Sequence, residues 1–434
     1  MEKMKIVAFL PAKGSSERIE SKNMKLLDGK PLFLHTLEKL VKCDFIDEVY
    51  LDSESEAIFE IASEINCHHL KRDPELANNK TDGHKLFYNE AKQVDADIYI
   101  QILGTSPFIK PSTIKRGIDI LVNHPEYDSV VLVAKEKQYL WKDNQPMYDR
   151  NHVPNSKDLP DTVIESMGLY IVRKEVALKE KMRFGRNVYF LEASAVEKID
   201  VNYLDEFELA GYIAAGLREK EREFFRNMKN VLSSSMLSDI LDELHIDGVI
   251  SDLHPNIPDK KIFGRASTLK LRALKEGEDY QGIYDALKSY QYMVPGDVIV
   301  VENECQDYAY FGNLNASLAV RAGAKGAIIG GCTRDFVAVK AMGFPVFAKG
   351  NNCKDVLKRA TTESINKTIK ISDVTIHPGE LIFADKDGVV VIPRKYETQV
   401  LKCALETIEK EKNVIKGIVD GMEAEKILEE VGAF

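Results

Sequence analysis

Cysteine is sparse in this sequence and nowhere closely paired. The six residues (Cys43, Cys67, Cys305, Cys332, Cys353, Cys403) form no C-x-x-C pair, which argues against a disulfide framework or a zinc cage and fits reduced thiols. No apolar run approaches the ~20 residues that a spanning helix needs, so no membrane partner is expected. The chain enters the strand-like run KIVAFLPA almost at once, without the charged, apolar and small-residue segments of a secretory signal, and a cytoplasmic location is expected. Positive charge is not in excess. A net charge of −10 argues against a nucleic-acid partner, although a few placed cations still suffice for a local anionic ligand. Internal repeats and low-complexity tracts are absent too.

What is present is the mixture of a globular protein, 44% hydrophobic and 29% charged. The 434 residues exceed what one core usually serves and suggest about two to three domains. From Lys5 to about Phe207, runs rich in Val, Ile, Leu and Tyr (KIVAFLPA, EVYLDS, DIYIQIL, DSVVLVAK, GLYIVRK, NVYFLEA) alternate with segments of helical period. This is the pattern of an α/β domain with a mostly parallel sheet. Leu34, Leu37, Leu40 and Val41 give one buried helix face between the first two runs. A charged helical stretch from Leu209 to about Lys229 carries no strand signal, and we divide the chain within it: residues 1–222 and 223–434. The second part opens on SSSMLSDILDELHIDG, where serine caps an amphipathic helix. Strand runs then return in RASTLKLRA, DVIVVENE, AKGAIIGG and VTIHPGELIFADKDGVVVIPRK, the last broken by Pro-Gly and Asp-Gly turns.

The first strand runs into LPAKGSSERIESKN, the strand-to-loop transition where α/β sheets place ligands. Gly14, Ser15 and Ser16 allow close approach of backbone N–H groups to a phosphate, and Lys13, Arg18 and Lys22 can neutralise a triphosphate. No GK[ST] follows, so this is not a Walker A loop. His68 and His69 are adjacent on a strand, point to opposite faces and are a poor metal pair.

PAKGSSERIESKN and LDGKPLFLHTL, followed in order by LDSESEAI, KRDPELA, QILGTSPF, KDLP, ESMGLYIV and KIDVNYLDEFELA, resemble the CMP-sialic acid synthetase (acylneuraminate cytidylyltransferase) family over about the first 210 residues. The resemblance implies a Rossmann-like nucleotidyltransferase domain. It also implies attack of an anomeric hydroxyl on the α-phosphate of CTP, giving a CMP-linked acidic sugar and pyrophosphate. Carried over, Arg18 and Lys22 hold the triphosphate. Pro11, Ala12, Lys13, Gly14, Ser15, Asn23 and Arg72 line the nucleotide, and Gln101, Thr105, Ser106, Lys157 and Glu165 the sugar. Asp200 binds Mg²⁺, with Mn²⁺ an alternative. Asn202 stands where the family commonly shows a second Asp. Ser156, Lys157 and Ser166 also depart from its usual residues, implying an acceptor other than standard sialic acid.

In the second part, FGNLNASLAVRAGAKGAIIGGCTRDFVAVKAMGFPVFAKG and HPGELIFADKDGVVVIP resemble the RraA-like family, which includes the 4-hydroxy-4-methyl-2-oxoglutarate aldolases. The implied fold is a β/α swivelling-type domain. Gly312, Asn313, Leu314 and Asn315 would cradle a 2-oxo acid, Arg334 would hold its pyruvyl group, and Asp335 would anchor the divalent metal of a pyruvate aldolase. Asn313 replaces the usual Asp or Glu and cannot act as a base. Some RraA-like proteins are not aldolases, so a binding or oligomerisation module and an oxaloacetate decarboxylase stand as alternatives. Pyruvate addition to an aldose yields a 3-deoxy-2-ulosonic acid, the class of acceptor that the first part would activate. The resemblances also imply a homo-oligomer, whether dimer, trimer or hexamer.

Overall fold

The computed structural model describes residues 3–78 and 80–431. It divides into two compact units, residues 1–215 and 216–434. That division falls earlier than residue 222, but within the same charged helical stretch, which is one helix from Leu204 to Lys229.

Among the described residues, the first unit is built on seven main strands. These are β1 (Ile6–Pro11), β2 (Glu48–Ser53), β3 (His68–Lys71), β4 (Ile98–Ile102), β5 (Ser129–Glu136), β6 (Thr162–Arg173) and β7 (Val188–Glu192). They lie in the order β7–β5–β6–β4–β1–β2–β3, all parallel except β6, which is antiparallel to both neighbours. The apolar runs are nearly continuous because both faces are covered. Ala8, Leu10, Ile98, Ile100 and Ile102 face one cluster, which includes Leu37 and Leu40 of α1 (Leu34–Leu40), Ile58 of α2 (Glu56–Ile61) and Ile114 and Ile118 of α4 (Pro111–Asn123). The intervening Val7, Phe9 and Tyr99 face another, with Phe87 and Ala91 of α3 (Gly83–Ala91). The sequence period of two thus becomes a helix–sheet–helix sandwich.

β1 has β2 on one side and β4 on the other. The chain therefore leaves in opposite directions from the carboxyl ends of β1 and β4, and a crevice opens where their loops diverge. Residues 12–21 and 103–108, both singled out from the sequence, are those loops.

The second unit carries a ten-stranded sheet among the described residues. Its strands are β8 (Val249–Ile250), β9 (His254–Pro255), β10 (Ile262–Ala273), β11 (Val298–Asn303), β12 (Ala309–Phe311), β13 (Gly326–Thr333), β14 (Val346–Asn351), β15 (Ala360–Ile365), β16 (Leu381–Asp385) and β17 (Gly388–Ile392). The order is β8–β17–β16–β10–β11–β13–β14–β9, with β12 beside β13 and β15 beside β10. β10, β11, β13 and β14 are mutually parallel. Ile299, Val301 and Ile329 pack under Ala316 and Ala319 of α8 (Asn313–Ala322) and Val339 of α9 (Phe336–Ala341). Val298, Val300 and Ile328 face Ile369 to Ile376 on the other side. α6 (Ser234–Glu243) begins as its serines require: the Ser233 hydroxyl accepts from the Met236 N–H at 3.2 Å. It packs with α10 (Glu397–Val419) in a further cluster.

Candidate functional site

In the first unit the loop after β1 is held from within. The Asn23 side-chain amide donates to the Lys13 carbonyl at 2.8 Å, and both Lys22 and Asn23 are buried. Asn23 therefore shapes the loop. The Gly14 N–H donates to Glu54 Oε1 at 2.8 Å, and a Cβ at position 14 would come within 2.5 Å of Ser55. Glycine is required here by close packing on the loop after β2. Pro11 ends β1, Ala12 is buried with its N–H on the Asp52 carbonyl at 2.9 Å, and Ser15 is exposed.

The segment around Asp200 crosses to both loops. The Val201 N–H donates to the Thr105 carbonyl at 2.8 Å, and Lys22 Nζ donates to the Val201 carbonyl at 2.6 Å. Asp200 is fixed through both oxygens: Oδ1 accepts from Thr105 at 2.5 Å and Ser106 at 3.1 Å, and Oδ2 accepts from the Asn202 amide at 2.6 Å. Burial pulls the Lys22 ammonium below its usual range, Asp200 pulls it back up, and Arg18 and Lys13 push it down again. The Arg18 guanidinium lies 5.2 Å over the Tyr203 ring. Sequence-distant Lys13, Arg18, Lys22, Thr105, Ser106 and Asp200 are thus one constellation at the β1/β4 crevice.

Other predicted residues are placed differently. Arg72 is buried and donates to Asp52 Oδ2 through Nε (2.9 Å) and Nη2 (2.6 Å). Gln101 is fully buried and donates to Glu90 Oε2 at 2.6 Å. The Glu90 carboxyl is pushed well above the carboxylate range by burial and then by Asp52. Lys157 is exposed on a short helical turn, its carbonyl accepting from Lys137 at 2.6 Å. Ser166 is turned into the sheet, its hydroxyl on the Leu132 carbonyl at 2.9 Å. Glu165 accepts from the Tyr170 hydroxyl and stands 3.8 Å from Arg183.

Arg183 and Tyr170 are the residues that motif reading missed. The Arg183 guanidinium lies 4.1 Å over the Tyr170 ring. The Tyr170 hydroxyl, raised above its usual range chiefly by burial, has Arg183, Glu165 and Asp200 as its charged neighbours. An arginine beside Phe184 carries no sequence signal; only the fold stacks it on Tyr170.

In the second unit β12 and β13 run parallel, with Phe311 opposite Thr333, so the starts of α8 and α9 emerge side by side. The Asn313 N–H donates to Asp335 Oδ2 at 3.1 Å. A Cβ on Gly312 would lie 2.5 Å from that same oxygen, so a larger residue would push the carboxylate away. Asp335 adopts φ 57°, a left-handed conformation that Asp tolerates better than most residues. Leu314 is exposed, and the Asn315 amide donates to the Tyr310 carbonyl at 2.9 Å. Arg334 stands 3.9 Å from Asp335, but its close partner is Asp355, with Nη1 2.8 Å from Oδ2. Asp355 was not foreseen, because only the fold brings it to β13.

Both sites present one well-held carboxylate rather than a cage. Among the described residues no three His, Cys, Asp or Glu side chains converge as metal ligands. Mg²⁺ commonly takes one or two carboxylates and completes its shell with water and substrate oxygens, so single-carboxylate donor sets at Asp200 and Asp335 fit it. Among the described residues no helix is long and apolar enough to cross a membrane.

Residues 7–184 match the cytidylyltransferase family, and residues 235–391 match the RraA-like family described as Aldolase/RraA. A putative 4-hydroxy-4-methyl-2-oxoglutarate aldolase of Halalkalibacterium halodurans is 30% identical over 190 residues, covering 43% of this chain and 85% of that protein. An N-acylneuraminate cytidylyltransferase of Streptococcus agalactiae is 25% identical over 253 residues, 51% of this chain and 57% of that protein. Protein DlpA of Legionella pneumophila is 26% identical over 345 residues, across both units, covering 75% of this chain and 49% of DlpA. The chain thus spans about half the length of DlpA and little more than half of the cytidylyltransferase. The second domain belongs to the RraA-like family, and it follows a domain that matches the cytidylyltransferase family model.

Proposed function

We propose that the chain makes and activates an acidic sugar. The first unit would transfer CMP from CTP to the anomeric hydroxyl of a 2-ulosonic acid. The anomeric hydroxyl gives up its proton to solvent as its oxygen bonds to the α-phosphorus, the bond to the bridging oxygen breaks, and pyrophosphate leaves with the electron pair. Such chemistry needs positioning and charge neutralisation above all. Lys13, Arg18 and Lys22 supply the cations. Asp200, oriented by Thr105, Ser106 and Asn202, would hold Mg²⁺ or Mn²⁺, which adds charge neutralisation at the phosphates. The observation that carries this reading is the convergence of Lys22, Arg18 and Asp200 on the crevice beside β1 and β4.

The second unit would act as a pyruvate aldolase. Arg334 offers a guanidinium to the 2-oxo acid carboxylate, and the amides opening α8 lie beside it. Asp335 would hold the divalent ion, a Lewis acid toward the pyruvate enolate. Asn313 contributes its backbone N–H to Asp335 and no base, so the proton must be moved by another group or by water. The fusion then has a chemical logic, since activation with pyrophosphate release withdraws the product of a nearly balanced aldol addition.

The test is incubation of the full chain with CTP, Mg²⁺, pyruvate and a panel of aldoses, read by mass spectrometry, beside a second arm supplied with preformed ulosonates. CMP-ulosonate in both arms is the expected result. Product in the second arm alone defeats the aldolase reading, and product in neither defeats the cytidylyltransferase reading.

A further inference from the structure

The second unit contains a cavity of about 130 Å³ that none of the proposed chemistry uses. Its wall carries Arg222, Arg226, Lys229, Lys261 and Lys325 around the Phe225 ring. Arg222 is only 5% exposed. Its Nη2 is paired with Asp297, but its Nε and Nη1 are buried and make no hydrogen bond. Nη1 lies 3.6 Å from a Glu221 carboxylate oxygen, and Glu221 is itself bonded to Arg265. A guanidinium with two unsatisfied buried donors is costly unless something accepts from them.

The cavity wall gathers further positive charge beyond Arg222. Burial first, and then the neighbouring cations Lys325, Lys260 and Lys261, hold the Lys229 ammonium below its usual range. Lys261 spends one donor on the Leu232 carbonyl at 2.6 Å and keeps its charge. Arg226 has an exposed carboxylate partner, Glu219, at 2.7 Å. Like charges gathered at a cavity around unpaired donors form a site for a compact polyvalent anion. The small cavity and the overall charge of −10 do not suit a nucleic-acid strand.

We propose that this cavity binds a condensed phosphate, with the Arg222 guanidinium, Lys229, Lys261 and Lys325 supplying the positive charge that holds it. Free pyrophosphate and the phosphate tail of a nucleoside triphosphate share this chemistry. The site does not depend on the reaction proposed for the first unit.

Calorimetric titration of the full chain with inorganic pyrophosphate tests it, in an Arg18→Ala background that weakens the crevice of the first unit. One pyrophosphate should still bind per chain, and Lys229→Met with Lys325→Gln should weaken that binding at least tenfold. Thermal unfolding without ligand controls for folding: relief of repulsion should leave the double variant as stable as its parent or more so. Should the pair fold poorly, Lys325→Gln alone, at an exposed position, should still weaken binding several-fold. CTP as competitor separates the sources: displacement assigns the site to nucleotide tails, and no displacement assigns it to free pyrophosphate. Unchanged pyrophosphate affinity in both variants, or displacement by an equal concentration of sulfate, overturns the proposal.

Discussion

Asn202 shows how one residue sets the resting state of a charged site. Its amide donates to Asp200 Oδ2 at 2.6 Å, where an aspartate would place one carboxylate against another. Asn202→Asp should therefore lower stability without metal by about 1–2 kcal/mol, and Mg²⁺ should recover more of it than in the parent; thermal melts with and without Mg²⁺ read this directly. Arg183, stacked on Tyr170 beside Glu165, is a cation available to an acidic acceptor. Arg183→Gln should raise KM for the sugar acid about tenfold or more while KM for CTP holds, because charge-assisted bonds to a carboxylate are lost. His35 gives a pH dependence. Its Nε2 donates to the Leu27 carbonyl at 2.8 Å in the neutral form, and burial, with Lys30 nearby, pulls its pKa from 6.5 down to about 4. Between those values the unfolded chain binds the proton and the folded chain does not, so stability falls as pH drops from 6.5 toward 4. The loss is at most about 3 kcal/mol. Urea unfolding across this range should show a shallower decline in His35→Gln.

At the level of elements, the start of α6 is tied to the end of β16. Asp385, 6% exposed, accepts from the Ser234 N–H at 3.0 Å and its hydroxyl at 2.6 Å. The serine run announces the helix, but the carboxylate that satisfies its first turn comes from far along the chain. Asp385→Ala leaves those donors buried and should cost about 2–4 kcal/mol in chemical denaturation, well above the ~1 kcal/mol of an exposed cap. A contrasting case is β6. The run GLYIVRK suggests a strand from Gly168, yet β6 begins at Thr162, and its register against β5 shifts between Glu165 and Tyr170. Met167 takes φ 57° there. Across that irregularity the Tyr170 hydroxyl donates to Glu165, and a motif read as a regular strand does not reveal it.

For the whole molecule, each unit has its own buried clusters, and each proposed reaction has its own carboxylate. Asp335→Ala should reduce aldol addition by about a hundredfold or more while CMP transfer to a preformed ulosonate stays within about twofold. Parallel assays of the two reactions on one preparation check it. Equal loss of both would instead tie the two chemistries to one site.

Composition and the ordered motifs determined that the chain has two α/β halves, placed LPAKGSSERIESKN in the loop after the first strand, and marked Lys22, Asp200, Arg334 and Asp335 as candidate site residues. Local sequence suffices for these because apolar alternation, glycine spacing and capping are short-range properties. Only the tertiary structure decided who meets whom. Arg72 serves Asp52, Gln101 serves Glu90, Asp355 rather than Asp335 is the close partner of Arg334, and Glu54 occupies the Gly14 N–H. Arg183 stacks on Tyr170 beside Glu165, and Arg222 is left with unpaired donors beside three lysines. Such pairings depend on strand order and on which loops share a sheet edge, and a hydrogen bond between residues far apart in the chain leaves no periodicity for the sequence to display.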